Sequence, residues 1–385
     1  MQKKLKNIIY ILVTFSFFKP DYFSGVASNI NIVYSFLQLF AIFVGIIILI
    51  NNIVKNRTSK VIYCIILYNI FLIFSTFINN NDMMFSSIYK SLLMISFCSV
   101  VENSLIEKDY KIISNSYFLL LVYAIINFCT ILKYPGGMWI SPITKYWQNW
   151  FLGYDNNHII ILLPLLIFGY VFNIIKFNKL KNNYWFTLLL VNMTVLKTWS
   201  ATSVVGIFLI DVYILFINKK VKSKQLYRLL KYYVIVFFAI VVFRLQNVFS
   251  FLIVNILKKD LTFSNRTYIW DYIIKHIKSK PIFGYGIQKS SIRYNISNAY
   301  QAYHAHNLIL ELLYRGGFAL LIIFIYMVYL VVQKLKNKDD NLSHFFMWSI
   351  FVYAIILLTE FFEPINYIYL LVVFYNITNF RKEAI

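Results

Sequence analysis

The stretch INIVYSFLQLFAIFVGIIILI at residues 30–50 contains no charged side chain. Because a helix needs ~20 predominantly apolar residues to cross the hydrocarbon core of a bilayer, this stretch predicts a transmembrane helix. Similar apolar segments recur at about 7–19, 60–78, 85–101, 112–132, 157–174, 184–198, 201–217, 231–254, 307–332, 344–359 and 364–380. At this helix length, the sequence predicts an all-α polytopic membrane protein with about 12 transmembrane helices.

The composition agrees with a membrane protein. Of the 385 residues, 60% are apolar and 14% are charged, whereas a soluble domain carries roughly 25% charged residues. The net charge of +22 would suit a nucleic-acid-binding protein only if Lys and Arg formed a basic domain or arm. They lie instead in short clusters between the apolar segments. The distribution therefore argues against nucleic acid as a partner and for membrane lipid.

The positive charges also predict the orientation, because cytoplasmic connections are enriched in Lys and Arg. Connections on the N-terminal side carry these clusters: Lys55, Arg57, Lys60; Lys108, Lys111; Lys176, Lys179, Lys181; Lys219, Lys220, Lys222, Lys224, Arg228, Lys231; Lys334, Lys336, Lys338; Arg381, Lys382. The opposite short connections, residues 79–82 and 360–363, contain neither residue type. We predict a multi-pass membrane protein with both termini in the cytoplasm and one integral membrane domain over residues 1–385.

Two connections on the outer side are long. The first, residues 133–157, is rich in aromatic side chains: Trp139, Tyr146, Trp147, Trp150 and Phe151. Amphipathic aromatic rings prefer the headgroup level of a bilayer. We therefore expect this segment to lie at the membrane surface.

The second long connection, residues 255–306, is the largest polar stretch and the predicted extracytoplasmic loop. Within residues 266–279, apolar side chains recur at helical spacing: Trp270, Ile273, Ile274 and Ile277. This pattern predicts an amphipathic helix, stopped near Pro281 and followed by the turn Gly284-Tyr285-Gly286. The helix either packs on the membrane surface or takes a direct part in catalysis.

A histidine pair follows this loop in the sequence Tyr303-His304-Ala305-His306-Asn307. A His-x-His pair can indicate a metal site, but residues i and i+2 point apart on a helix. The sequence fixes no Cys or acidic third ligand nearby. The favoured interpretation is an imidazole acting as a base near neutral pH, with no metal.

Three blocks of this region together resemble the signature of the O-antigen ligase and Wzy-type polymerase superfamily. They are residues 265–270 (NRTYIW), residues 280–286 (KPIFGYG) and residues 304–311 (HAHNLILE) continuing to Gly317. In that family Arg and Trp precede a Pro-x-x-Gly-x-Gly turn, and a His-Asn pair opens a helix that ends in a small-residue turn.

The resemblance implies a bundle of about a dozen membrane-spanning helices with the large loop over a cavity. It also implies transfer of a glycan from a polyprenyl-pyrophosphate carrier to an acceptor sugar, without a cofactor or metal. His306 would be the general base and Arg266 would bind the pyrophosphate, unless Arg266 is only a solvated loop charge. Asn307 would position His306 or the sugar. A flippase and a chain-length regulator of the same pathway are the implied protein partners.

Four further residues are predicted to bind substrate: His304, Arg244, Arg315 and Trp270. Arg244 lies in or at the end of an apolar helix, where it either snorkels to the interface or makes a second pyrophosphate contact. Many family members have an acidic-x-Gly pattern before the small-residue turn, whereas this chain reads Tyr314-Arg315-Gly316-Gly317, with Arg315 in this segment. It either adds a phosphate contact or marks a rearranged helix end.

These observations favour a polysaccharide repeat-unit polymerase of the capsule or O-antigen type. The alternative is a ligase that moves finished glycan to another acceptor. Ligases often carry a Ser-Arg pair on an earlier helix, whereas residues 198–203 (TWSATS) contain no Arg. A lipid-linked glycan flippase is the third hypothesis, but no internal repeat is visible and the His and Arg residues concentrate in an outer loop.

Overall fold

The computed structural model describes residues 2–79, 82–141, 147–217, 221–245, 248, 250–256, 260–262, 265–288, 294–297 and 300–377. Its α-helices are α1 Gln2–Phe17, α2 Asp21–Gly25, α3 Ser28–Val54, α4 Lys60–Ile78, α5 Met84–Ile106, α6 Lys111–Lys133, α7 Ile159–Phe177, α8 Asn182–Thr198, α9 Ala201–Val212, α10 Ser223–Phe237, α11 Arg266–Ile277, α12 Leu308–Lys336, α13 Asn341–Thr359 and α14 Ile368–Ile377. The strands are β1 Trp139–Ile140, β2 Gln148–Trp150, β3 Gly153–Tyr154, β4 Tyr294–Ser297 and β5 Tyr300–Ala302.

Among the described residues, eight helices are long and apolar enough to cross a membrane. They are α3, α4, α5, α6, α12, α13, α7 with the preceding turn, and α10 extended to Val242. Two shorter apolar helices cover Ala201–Ile217 and Pro364–Ile377, while α1 and α8 have 16 and 17 residues. The prediction of an all-α polytopic membrane protein is confirmed, although some of the twelve predicted segments are short for a full crossing.

Contacts along the chain divide it into two compact units. Unit 1 comprises Met1–Ile62, Leu92–Val212 and Pro364–Ile385, and unit 2 comprises Tyr63–Ser91 and Tyr213–Glu363. The predicted single domain over residues 1–385 remains a prediction.

In unit 1, α6 packs on α1, α7 and α8. Aromatic residues fill this packing, and several of them are fully buried: Tyr117, Phe168, Tyr170 and Tyr184. The buried Tyr117 hydroxyl is 2.8 Å from the Thr187 hydroxyl, because a polar group in an apolar core needs a partner.

The segment after α6 folds into a small antiparallel sheet in the order β1-β2-β3. Trp139 pairs with Asn149, and Trp150 pairs with Gly153. Trp150 and Phe151 are buried, whereas Trp147 is 44% exposed. The aromatic side chains predicted for the headgroup level are therefore partly used in protein packing.

In unit 2, the predicted helix at about 231–254 is wrong in its limits. Helix α10 begins at Ser223, and its π-helical continuation ends at Val242. Arg244 has φ 58°, a left-handed conformation that cannot continue a right-handed helix. A separate π-helical turn covers Phe251–Ile256.

The predicted amphipathic helix is confirmed as α11, with Ile269, Trp270 and Ile273 fully buried. These side chains share an apolar cluster with residues of α12 and with Ala305. Burial against α12 explains why the apolar stripe recurs at helical spacing.

The glycine turn after α11 docks on a kink in α12. Gly284 has φ 63°, and Gly317, where α12 kinks, also has φ 63°. A Cβ on Gly284 would lie 2.5 Å from the Tyr314 carbonyl oxygen, so no larger residue fits there. The backbone N–H of Tyr285 donates to that same oxygen at 2.7 Å. This contact joins two blocks of the sequence signature.

Some residues used in the sequence argument lie outside the described residues. They are Tyr146, Lys219, Lys220, Arg381 and Lys382.

Candidate functional site in unit 2

The histidine segment, residues 303–307, is held in place by two hydrogen bonds to the backbone of Ala305. The Trp270 indole N–H donates to the Ala305 carbonyl at 3.0 Å, and the Ala305 N–H donates to a Glu311 carboxylate oxygen at 2.6 Å. All three residues are buried. Because buried backbone groups must be paired, these two contacts fix the position of both neighbouring histidines.

Asn307 begins helix α12 and also anchors the end of α13. Its side-chain oxygen accepts the Leu310 N–H at 2.9 Å, which caps the first turn of α12. Its side-chain nitrogen donates to the Leu358 carbonyl at 2.8 Å. Asn307 is fully buried, so this structure supports a positioning role rather than a direct contact with a sugar.

Glu360, two residues beyond Leu358, bridges His306 and Arg266. One carboxylate oxygen lies 2.7 Å from His306 Nδ1, and the other lies 2.7 Å from the Arg266 guanidinium. The Glu360 side chain is 4% exposed, whereas that of His306 is 26% exposed. The structure therefore brings the predicted base and the predicted pyrophosphate-binding residue onto one buried carboxylate.

The electrostatics of this bridge keep Glu360 ionised. Burial by itself would raise the pKa of the carboxyl, but the nearby charges of Arg266 and His306, with the hydrogen bond from His306, lower the pKa to about 2. The ionised Glu360 accepts a hydrogen bond from Nδ1–H of His306, and in that tautomer the imidazole lone pair lies on Nε2.

The His304 ring lies beside the His306 ring at a tilt of 55°, with the ring centroids 4.1 Å apart. Its Nδ1 accepts the backbone N–H of His306 at 3.3 Å. Burial and the neighbouring His306 lower the pKa of His304 to about 3, so its imidazole is neutral at physiological pH. His304 thus supports the backbone of His306, which has the unusual φ of 47°.

Arg315 lies in a second group of charged side chains. Its Nε donates to Glu311 at 2.6 Å, and its two terminal nitrogens contact Glu363 at 2.9 and 3.1 Å. The paired contact with Glu363 is the bidentate geometry that guanidinium favours. Because Glu311 also holds Ala305, Arg315 helps to orient the histidine segment. Its predicted contact with phosphate remains a prediction.

Arg244 turns toward α11. Its guanidinium forms an ion pair with Asp271, donates to the Thr267 carbonyl at 3.1 Å and lies 5.1 Å from the centre of the Trp270 ring. Its predicted role in substrate binding remains a prediction, as does that of Trp270 beyond the support it gives to Ala305.

The residues that could hold a metal ion in the described part of the chain are His304, His306 and Glu360. Their nearest ligand atoms lie within 4.8 Å of one another. An ion at this position would compete with the existing contacts of Glu360 to His306 and Arg266. The donor set would suit Zn²⁺, while the neighbouring guanidinium opposes a further positive charge.

The sequence argument missed Glu360, Glu311 and Glu363. The chain has only 15 acidic residues against 37 basic ones. Two acidic residues in one four-residue connection, Glu360-Phe361-Phe362-Glu363, were therefore a usable signal. Their partners are distant in sequence and could not be assigned without the fold.

Comparison with protein families gives one match, to Wzy_C, described as O-antigen ligase, over residues 185–325. No curated protein and no solved structure matches the chain. The matched region contains α11, the glycine turn and the histidine segment. Residues 185–325 of this chain are therefore similar to the O-antigen ligase family, and the match supports the resemblance to the O-antigen ligase and Wzy-type polymerase superfamily.

Proposed function

We propose that the protein is a polysaccharide repeat-unit polymerase of the capsule or O-antigen type. It would transfer glycan from a polyprenyl-pyrophosphate carrier to an acceptor sugar hydroxyl on the outer side of the bacterial cytoplasmic membrane. The observation that carries the proposal is the buried Glu360 carboxylate, which contacts both His306 and Arg266 at 2.7 Å.

In the proposed reaction, His306 is the base. Its Nδ1–H donates to Glu360, and its Nε2 takes the proton from the acceptor hydroxyl. The hydroxyl oxygen then forms a bond to the anomeric carbon of the donor as the bond from that carbon to the pyrophosphate oxygen breaks. The pyrophosphate leaves with the electron pair, and His306 later releases its proton to water. A carboxylate-oriented imidazole is a well-understood arrangement for this proton transfer.

Arg266 would stabilise the negative charge that develops on the leaving pyrophosphate. Guanidinium carries five N–H donors and stays charged. The contact with Glu360 uses one terminal nitrogen of Arg266. Its side chain is 15% exposed. Glu360 would thus hold the cation in place before the donor binds.

The second candidate is a ligase, which uses the same chemistry with a different acceptor. It is supported by the family description, O-antigen ligase. The absence of a Ser-Arg pair at residues 198–203 favours the polymerase.

The test uses the full-length protein in lipid with a polyprenyl-pyrophosphate-linked oligosaccharide, with and without a chelator. We expect a ladder of lengthening products that persists with chelator. His306→Ala should abolish the ladder, because a positioned base contributes ~10²–10⁴-fold. His276→Ala, the same change at a histidine of α11 that contacts the Tyr272 carbonyl, is the matched control and should retain it.

Each other outcome has a distinct meaning. Chain growth by His306→Ala would remove this residue from the mechanism. Transfer only to a different added acceptor would identify a ligase. Loss of the ladder with chelator, restored by added zinc, would point to the His304, His306 and Glu360 cluster as a metal centre. Carrier movement across the bilayer without transfer would identify a flippase.

A further inference from the structure

We propose that unit 1 contains a binding subsite for sugar rings of the glycan, formed by the aromatic sheet β1–β3 and the C-terminal end of α8. This inference rests on the proposed function, because it assumes a glycan substrate. The subsite is a cavity of about 490 Å³. Its lining includes Trp147, Trp150, Tyr154, Asp155, Lys197 and Thr198.

The most exposed aromatic ring of this cavity is that of Trp147. Trp147 stacks on Tyr154 with ring centroids 4.7 Å apart and an angle of 22° between the rings. Trp147 is nevertheless 44% exposed. Since Tyr154 covers one face of the indole, the exposed area is available for an apolar ligand face. Sugar rings present such faces through their C–H groups.

The sheet makes this surface rigid. The Trp150 indole N–H donates to the Tyr134 carbonyl at 2.8 Å, and the Trp139 indole N–H donates to the Trp150 carbonyl at 2.9 Å. The strand β2 that leads from Trp147 to Trp150 is paired on both sides. Rigid aromatic side chains contribute contact area at little cost in conformational entropy.

Polar groups surround the aromatic surface. Asp155 is half-buried, and Lys197 is exposed at the end of α8. Thr198 and Gln148 also line the cavity. Together these side chains offer acceptors and donors for sugar hydroxyls around a stacking platform. The lining thus combines aromatic and polar surface, and the cavity volume lies within the roughly 300–1,000 Å³ range of small-molecule sites.

The lining favours a glycan over a phospholipid. An acyl chain offers no hydrogen-bonding group to the polar side chains of the lining. A phosphate headgroup could pair with Lys197 but would also meet the Asp155 carboxylate, which opposes a second negative charge. A hydroxyl-rich ring satisfies both the aromatic and the polar parts of the cavity.

The test measures binding without requiring catalysis. The probe is the repeat-unit oligosaccharide released by mild acid from the carrier lipid of the producing cells, and the protein is full length in nanodiscs. Saturation-transfer NMR and calorimetry should show binding to the wild type. Trp147→Ala should raise the dissociation constant about tenfold, because the sugar ring can no longer stack on the indole. Trp147→Phe retains a ring and should keep most of the affinity.

The matched control is Trp185→Ala, which removes a 42% exposed tryptophan of α8 that is not among the cavity residues. It should bind as the wild type does. His306→Ala should also bind normally, since it changes a residue of unit 2. This variant separates the subsite from the proposed base.

The inference would be overturned by unchanged affinity in Trp147→Ala, or by a wild type that binds no oligosaccharide. Displacement of the oligosaccharide by glycerophosphocholine would assign the cavity to lipid and would also overturn it. A wild type that binds through Trp147 but forms no product ladder would contradict the polymerase alone. A ladder from a wild type without this binding would contradict the subsite alone.

Discussion

The histidine segment of unit 2 and the aromatic sheet of unit 1 both lie in or next to the two long connections between apolar segments, but different interactions hold them together. In the histidine segment, ionised side chains hold one another, and Glu360 and Glu311 each bridge two partners. In the aromatic sheet, indole N–H groups donate to backbone carbonyls and leave a ring face exposed. Charge is concentrated in one region and ring surface in the other.

The difference suggests how the two regions divide their work. Proton transfer needs ionisable groups of controlled pKa, and buried ion pairs supply them. Recognition of sugar rings needs rigid, partly apolar surfaces. Substitutions in the histidine segment should therefore lower kcat, whereas substitutions in the aromatic sheet should act on binding.

The largest expected effect is that of Glu360→Gln. The neutral amide cannot accept a charge-assisted hydrogen bond from His306 Nδ1–H, and this bond holds the imidazole in the tautomer that the reaction needs. We therefore expect kcat to fall by ~10²–10⁴ with little change in KM. Single-turnover transfer assays would measure it. Glu102→Gln replaces another fully buried carboxylate and should leave transfer unchanged.

Removal of one partner from a buried ion pair can also destabilise the protein. Glu360→Asp therefore serves as a second variant, because it keeps the charge and shortens only the reach. It should show activity between those of Glu360→Gln and the wild type. If Glu360→Gln folds normally and transfers glycan at the wild-type rate, the comparison between the regions would lose its main support.

A smaller effect is expected from Arg266→Lys. Lysine keeps the positive charge but cannot bind Glu360 and a phosphate oxygen with a planar fork. We expect kcat/KM to fall by about 10–100-fold, corresponding to ~1.4–2.7 kcal/mol. Arg228→Lys, the same change at an exposed arginine of α10, is the control. Wild-type kinetics in Arg266→Lys would mean that charge alone is needed.

The last effect concerns the stability of the fold and its dependence on pH, not the rate of transfer. The pKa of His304 is about 3 in the folded protein against an ordinary value of 6.5. The unfolded chain therefore binds more protons between these values, and stability is lost as the pH falls from 6.5 toward 3, by up to ~1.4 kcal/mol per pH unit. Glu360, with a pKa of about 2 against 4.5, adds a loss only below pH 4.5.

Thermal unfolding in detergent between pH 7 and pH 5 would measure this slope. His304→Asn removes the titrating group and should flatten it, whereas His276→Asn should not. Parallel slopes in the wild type and His304→Asn would show that protonation of His304 has no energetic cost in the fold.

Much of the site could be predicted from local pattern. The helical spacing of Trp270, Ile273 and Ile277 predicted α11 because a helix must bury one face. The paired motifs around Arg266 and His306 predicted the two residues that the fold brings together on Glu360. By contrast, the continuous apolar run at 231–254 gave no sign of the break at Arg244, because hydropathy carries no information about backbone conformation.

Sequence alone established the membrane class, because its apolar segments are too long and too poor in charge for a water-facing surface. It also marked His306 and Arg266 through a resemblance that the family match confirms. The role of the acidic residues depended on folding. Glu360 lies 54 positions from His306 and 94 from Arg266, so their contacts arise only when α13 ends beside the start of α12. Local sequence encodes helical faces and turns, whereas contacts between distant charges depend on how those helices pack.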